Sequence, residues 1–121
     1  MMTIRKLVIV TLLLFSSLAS GAQAETPSGD QIAAGRKFAQ RVCGACHIVT
    51  RDLDEIPVRR PPAPSFAALA QQPSVTEQSL REFLGANHRN VGPAEAMPNP
   101  RLADYQIDEI VAYILALKAP N

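Results

Sequence analysis

Apolar residues follow two different patterns along this chain. From Leu7 to Phe15 they run together, interrupted only by Thr11. Near the other end Ile107, Ile110, Val111, Ile114 and Leu117 fall three and four apart, the spacing that lines one face of a helix. That stripe predicts a helix from about Asp104 to Lys118. Ile32, Ala33, Ala39 and Val42 predict an earlier helix from Gln31 to Val42, with Asp30 placed to cap it. Two shorter helices fit between them. Ser65 can cap one that ends at Gln72 before Pro73, and Ser74 with Glu77 suggests a capping box for another reaching Leu84, closed by Gly85. No segment keeps up an alternation of apolar and polar residues, so the expected fold class is all-α.

The polar stretches are loops by composition. Ile48 to Pro64 holds Arg51-Asp52-Leu53-Asp54-Glu55 and then Arg59-Arg60-Pro61-Pro62-Ala63-Pro64. Ala86 to Pro100 carries His88, Gly92, Pro93, Met97, Pro98 and Pro100.

The unbroken apolar run has a different meaning. Arg5 and Lys6 precede it, and small residues ending in Ala22-Gln23-Ala24 follow. This is the layout of a secretory signal peptide, so residues 1–24 are expected to be removed, leaving a polar lead at 25–29 and one domain at 30–121. The run is well short of the roughly 20 apolar residues that span a bilayer. Cleavage after Ala24 predicts a periplasmic protein with no membrane span. It also removes two of the 12 basic residues and no acidic one, leaving ten against 11. A balance so close to neutral gives no reason to expect a nucleic-acid partner.

Fewer than a hundred residues then remain, without tryptophan, and so small a domain usually needs reinforcement. A flat apolar cofactor would supply it. Ten prolines suit a chain whose loops wrap around something, because proline is excluded from helix interiors.

The two cysteines of an exported chain would ordinarily suggest a disulfide. Their setting, Cys43-Gly44-Ala45-Cys46-His47, suggests covalent haem attachment instead. Cysteines three apart lie on one side of a helical turn, where each sulfur can bond one vinyl group of the porphyrin, and His47 then projects toward the iron. Gly44 and Ala45 keep the turn slim where the macrocycle lies close. Two other chemistries use such residues. A thioredoxin-type redox pair requires a strand-helix context missing here, and a zinc site would need four ligands, formally Cys43, Cys46, His47 and His88.

With these residues in place, the chain resembles the class I cytochromes c over most of its length after Ala24. The resemblance rests on Gly35 eight residues before Cys43, the run from Cys43 to His47, Met97-Pro98 fifty residues after His47, and Ala112-Tyr113-Ile114 in the last helix. It implies a cytochrome c fold of four to five helices wrapped around one covalently attached haem c. It also implies thioether links at Cys43 and Cys46 and axial iron ligands at His47 and Met97. Met97 is the one methionine after the leader, and a thioether opposite an imidazole raises the potential. His88, nine residues before Met97, is the rival ligand. The resemblance further implies a proline carbonyl accepting from the axial histidine, with Pro62 and Pro64 as candidates, Pro64 matching better. Gly35 is expected to meet Tyr113 where the first and last helices cross.

The function expected is that of an electron carrier rather than an enzyme, cycling between ferric and ferrous iron. Its redox partners would be a dehydrogenase or quinol-oxidising complex as donor and an oxidase or reductase as acceptor. The chain would act as a monomer or as a subunit of a complex. A dedicated dehydrogenase subunit would share the same residues, whereas a haem peroxidase or gas sensor would need a displaceable sixth ligand. Arg36, Lys37, Arg41, Arg51, Arg59 and Arg60 are candidates for a positive rim facing an acidic partner.

Overall fold

A computed structural model describes residues 25–51, 56–86 and 97–118. The leader at 1–24 and the loop residues His88, Gly92 and Pro93 lie outside the described residues. Within them the chain is helical: α1 (Gly29–Val42), α2 (Phe66–Ala70), α3 (Glu77–Gly85) and α4 (Asp104–Ala116). The one β-type pairing among the described residues is an isolated bridge between His47 and Ala63. The all-α expectation holds.

Two caps differ from those expected. Ser28, not Asp30, caps α1, its hydroxyl oxygen accepting from the Gln31 N–H at 3.1 Å. Asp30 instead sits in the first turn, where its charge favours the positive end of the helix dipole. For α3, Thr76 and Ser79 form the capping box in place of Ser74 and Glu77. Each accepts from the other's backbone N–H, at 3.1 and 2.9 Å. The Ser79 hydroxyl also donates to the Ser74 carbonyl at 2.9 Å, so Ser74 supports the cap from outside the helix. Ser65 caps α2 as expected.

The core is built on α4. Ile107, Ile110, Val111, Ala112, Tyr113 and Ile114 are all buried, and Ala39, Val49, Phe66, Ala70, Leu80 and Leu84 complete the set. Burying an isoleucine or valine fully contributes about 1.5–3 kcal/mol, so the stripe read from the sequence is the main apolar contribution of the protein itself. The pairing of α1 with α4 is the most extensive between helices.

Gly35 makes that pairing possible. A Cβ on Gly35 would lie 1.9 Å from the Glu109 carbonyl oxygen and 3.0 Å from the Tyr113 Cβ. The crossing expected between Gly35 and Tyr113 is therefore present, and the atom in closest approach belongs to backbone that cannot rotate away.

The far end of α4 is tied down by hydrogen bonds. The Leu117 carbonyl accepts from Arg51 Nη2 at 2.9 Å and from Gln71 Nε2 at 3.2 Å, and the Lys118 ammonium donates to the Val75 carbonyl. Arg51 and Gln71 satisfy a carbonyl that the helix end leaves without an internal partner, and Lys118 ties that end to the segment before α3.

Candidate functional site

The turn after α1 presents the chemistry. Cys43 follows Val42 directly, and its N–H bonds the Ala39 carbonyl at 2.8 Å. The Cys46 and His47 N–H groups both return to the Cys43 carbonyl, at 3.1 and 2.9 Å. This winds residues 43–47 into one tight turn, placing both cysteines and the histidine within it. Cys43, Cys46 and His47 are all half-buried. The two cysteines are not joined to each other by a disulfide. Burial, with the neighbouring Cys46 adding to it, pushes the Cys43 thiol up to about 11, so its sulfur is uncharged at neutral pH. A thioether is uncharged too, so the pocket favours either form without an ionic partner. Gly44 has no room for a side chain: a Cβ there would lie 2.5 Å from the Gln40 carbonyl oxygen.

The segment after the turn pairs with the proline-rich loop. Arg59 N–H donates to the Ala45 carbonyl at 3.1 Å, Ala63 N–H to Cys46 at 2.9 Å, and Phe66 N–H to Ile48 at 3.0 Å. The loop thus lies along the turn in a fixed register. That register places the Pro64 carbonyl 2.7 Å from His47 Nδ1. A carbonyl oxygen can only accept, so Nδ1 carries the proton and Nε2 keeps a lone pair for a metal. Between Pro62 and Pro64, the structure selects Pro64. Phe66 meets the His47 ring edge-on with centroids 5.4 Å apart, and Tyr113 lies beyond Phe66 at 6.5 Å. The Tyr113 hydroxyl is buried and donates to the Val49 carbonyl at 2.9 Å.

Met97 is half-buried and packs on the same core cluster that Cys43 touches. A residue not singled out from the sequence fixes its position. Asn99 Nδ2 donates to the Ala86 carbonyl at 3.2 Å, tying the Met97 segment to the end of α3, and Asn99 Oδ1 accepts from the Arg101 N–H at 2.8 Å. The second bond supports Arg101 in the left-handed region at φ 50°. The signal was present in Asn99-Pro100, a dipeptide that starts turns, but the partner at Ala86 is a tertiary contact. Arg51 is exposed, and it also makes a long-range contact. Its guanidinium reaches across to the end of α4, and Lys37, Arg41 and Arg60 share the exposed surface with it.

The donor set suits haem attachment. Two cysteine sulfurs and an imidazole whose Nδ1 is engaged stand on one turn, and a thioether side chain leans on the same core. Among the described residues there is no group of three or more His, Cys, Asp or Glu side chains able to hold a metal ion by themselves, and His88, the fourth zinc ligand formally available, lies outside them.

Comparison with known proteins agrees. The family model for cytochrome c matches residues 32–118. Cytochrome c-552 of Bradyrhizobium diazoefficiens is 31% identical over 84 residues, covering 69% of this chain and 72% of the relative. No solved structure matches significantly. With a family model spanning α1 to the end of α4 and the attachment turn between them, the chain belongs to the cytochrome c family, electron-transfer proteins that carry covalently bound haem c.

Proposed function

We propose that this cytochrome is a periplasmic electron carrier, its haem bonded to Cys43 and Cys46 and its iron held between His47 and Met97. The observation that carries this reading is the His47 Nδ1–H bond to the Pro64 carbonyl at 2.7 Å, which leaves Nε2 available and fixes the ring's direction. When bound, haem supplies a one-electron couple between ferric and ferrous iron. The protein does the rest by holding and orienting. The two thioethers prevent dissociation, so the cofactor can keep an exposed edge for exchange with a partner. Pro64 strengthens the histidine as a donor, and Phe66 restricts the ring's rotation. The Met97 sulfur favours the ferrous state and raises the potential.

The leader at 1–24 supports export before attachment. Among the described residues no helix is long and apolar enough to cross a membrane. The partners fitting such a carrier are a dehydrogenase or quinol-oxidising complex as donor and an oxidase or reductase as acceptor.

The test is spectroscopic. Oxidised protein is expected to show the far-red sulfur-to-iron charge-transfer band. Met97→Ala should abolish it and His88→Ala should leave it. A band lost in His88→Ala and kept in Met97→Ala would refute the Met97 assignment. Carbon monoxide separates the carrier from a sensor or peroxidase, since firm ligation by Met97 keeps it from the reduced iron.

A further inference from the structure

The bond between His47 and Pro64 joins two segments, and both are anchored to one atom elsewhere. Four residues after His47, Arg51 Nη2 donates to the Leu117 carbonyl at 2.9 Å. Seven residues after Pro64, just past α2, Gln71 Nε2 donates to the same carbonyl at 3.2 Å. Leu117 is the C-cap of α4, the most deeply buried helix. One turn earlier on α4, the Tyr113 hydroxyl holds Val49, inside the segment that joins His47 to Arg51. The imidazole donor and its carbonyl acceptor are thus each fastened to the same rigid helix end, by separate side chains.

We propose that Arg51 and Gln71 are positioning residues that set the length of the His47–Pro64 hydrogen bond, and through it the reduction potential, by sharing the Leu117 carbonyl as a common anchor. The inference rests on His47 being the axial ligand. A short Nδ1–H···O bond gives the imidazole more anionic character, which stabilises ferric iron. Loosening either anchor lets the bond lengthen and raises the potential. The sign separates this effect from simple electrostatics. Removing the Arg51 charge by itself would disfavour the ferrous state less than the ferric one is relieved, and would lower the potential.

The experiment uses the holoprotein. Spectroelectrochemistry is run on Arg51→Gln, Gln71→Leu, the double variant and Arg51→Lys, with Arg81→Gln as a control on α3 whose ion pairs do not touch the site. The expected result is a positive shift in both single variants and a double-variant shift smaller than their sum, because the bond has already relaxed once. Arg51→Lys, which keeps a charge and a donor, should lie nearest wild type. Unchanged potentials with lowered melting temperatures, or a negative shift in Gln71→Leu, which changes no charge, would overturn the proposal. If Arg51→Gln fails to assemble, Gln71→Leu and Arg51→Lys carry the same comparison. A second readout uses ¹⁵N-histidine in a His88→Gln background, where His47 is the only histidine left. Hyperfine-shifted ring nitrogens in the oxidised His88→Gln parent establish the ligand. Their absence would overturn the ligand reading itself, whereas shifted nitrogens that stay the same in the variants would overturn only the anchor.

Discussion

At residue scale the tightest constraint is Gly35. The space its missing side chain leaves is filled by the Glu109 carbonyl, so Gly35→Ala must push α1 away from α4. Overpacking of this kind costs about 1–3 kcal/mol, and the larger Gly35→Val should cost more. Thermal unfolding should show the order glycine, alanine, valine in falling melting temperature, and an unchanged melting temperature in the valine variant would refute the close crossing. Tyr113 presents a different case. Tyr113→Phe keeps the ring and its contact with Phe66 but leaves the buried Val49 carbonyl without its donor, a loss of about 1–3 kcal/mol. Denaturant unfolding should register that loss while the oxidised spectrum stays unchanged, since the hydroxyl donates to the Val49 carbonyl.

Between single residues and the fold lie the elements, where legibility from sequence was uneven. The stripe of α4 was readable because helical spacing and burial report the same thing. The turn from Cys43 to His47 was readable because its chemistry needs residues close together in the chain. Caps were less so. Ser28 and Asp30 both qualify before α1, as do Ser74 and Thr76 before α3, and intrinsic preference barely distinguishes them. The direction in which the preceding chain arrives decides, and that is set by packing. The choice of Pro64 over Pro62 likewise followed from the register of Ala63 against Cys46, a pairing across sixteen intervening residues. Asn99 and Arg51 act on carbonyls far along the chain, which no local pattern shows. A cap once located predicts its own energetics. Thr76→Ala removes one side of the reciprocal pair with Ser79 and should cost about 1 kcal/mol. By contrast, Arg81→Ala breaks exposed ion pairs with Glu77 and Asp108 and should cost less than about 1 kcal/mol. Chemical denaturation of the two variants side by side checks that ranking.

For the whole molecule the question is what the helices pack around. Twelve apolar residues are buried among the described ones, and three of them are alanines. Net stability is a small difference between burial and chain entropy, and a core this small leaves little surplus. Meanwhile Val42, beside the attachment turn, and Ile56 and Val58, which precede the Arg59 that bonds it, remain exposed at 43%, 74% and 80%. Apolar side chains thus gather around the Cys43–His47 turn, while the set of buried apolar residues is small. Both features point to haem as part of the core and not an addition to a finished fold. Replacing both cysteines of the proposed attachment, Cys43→Ser with Cys46→Ser, should therefore do more than release the cofactor. The haem-free chain should lose most of its helical circular dichroism at 25 °C and show no cooperative thermal transition, although all four helical sequences are intact. Retention of native-like helicity with a sharp transition would mean that α1 and α4 form a sufficient core by themselves, and that the cofactor is carried by the fold without being needed to build it.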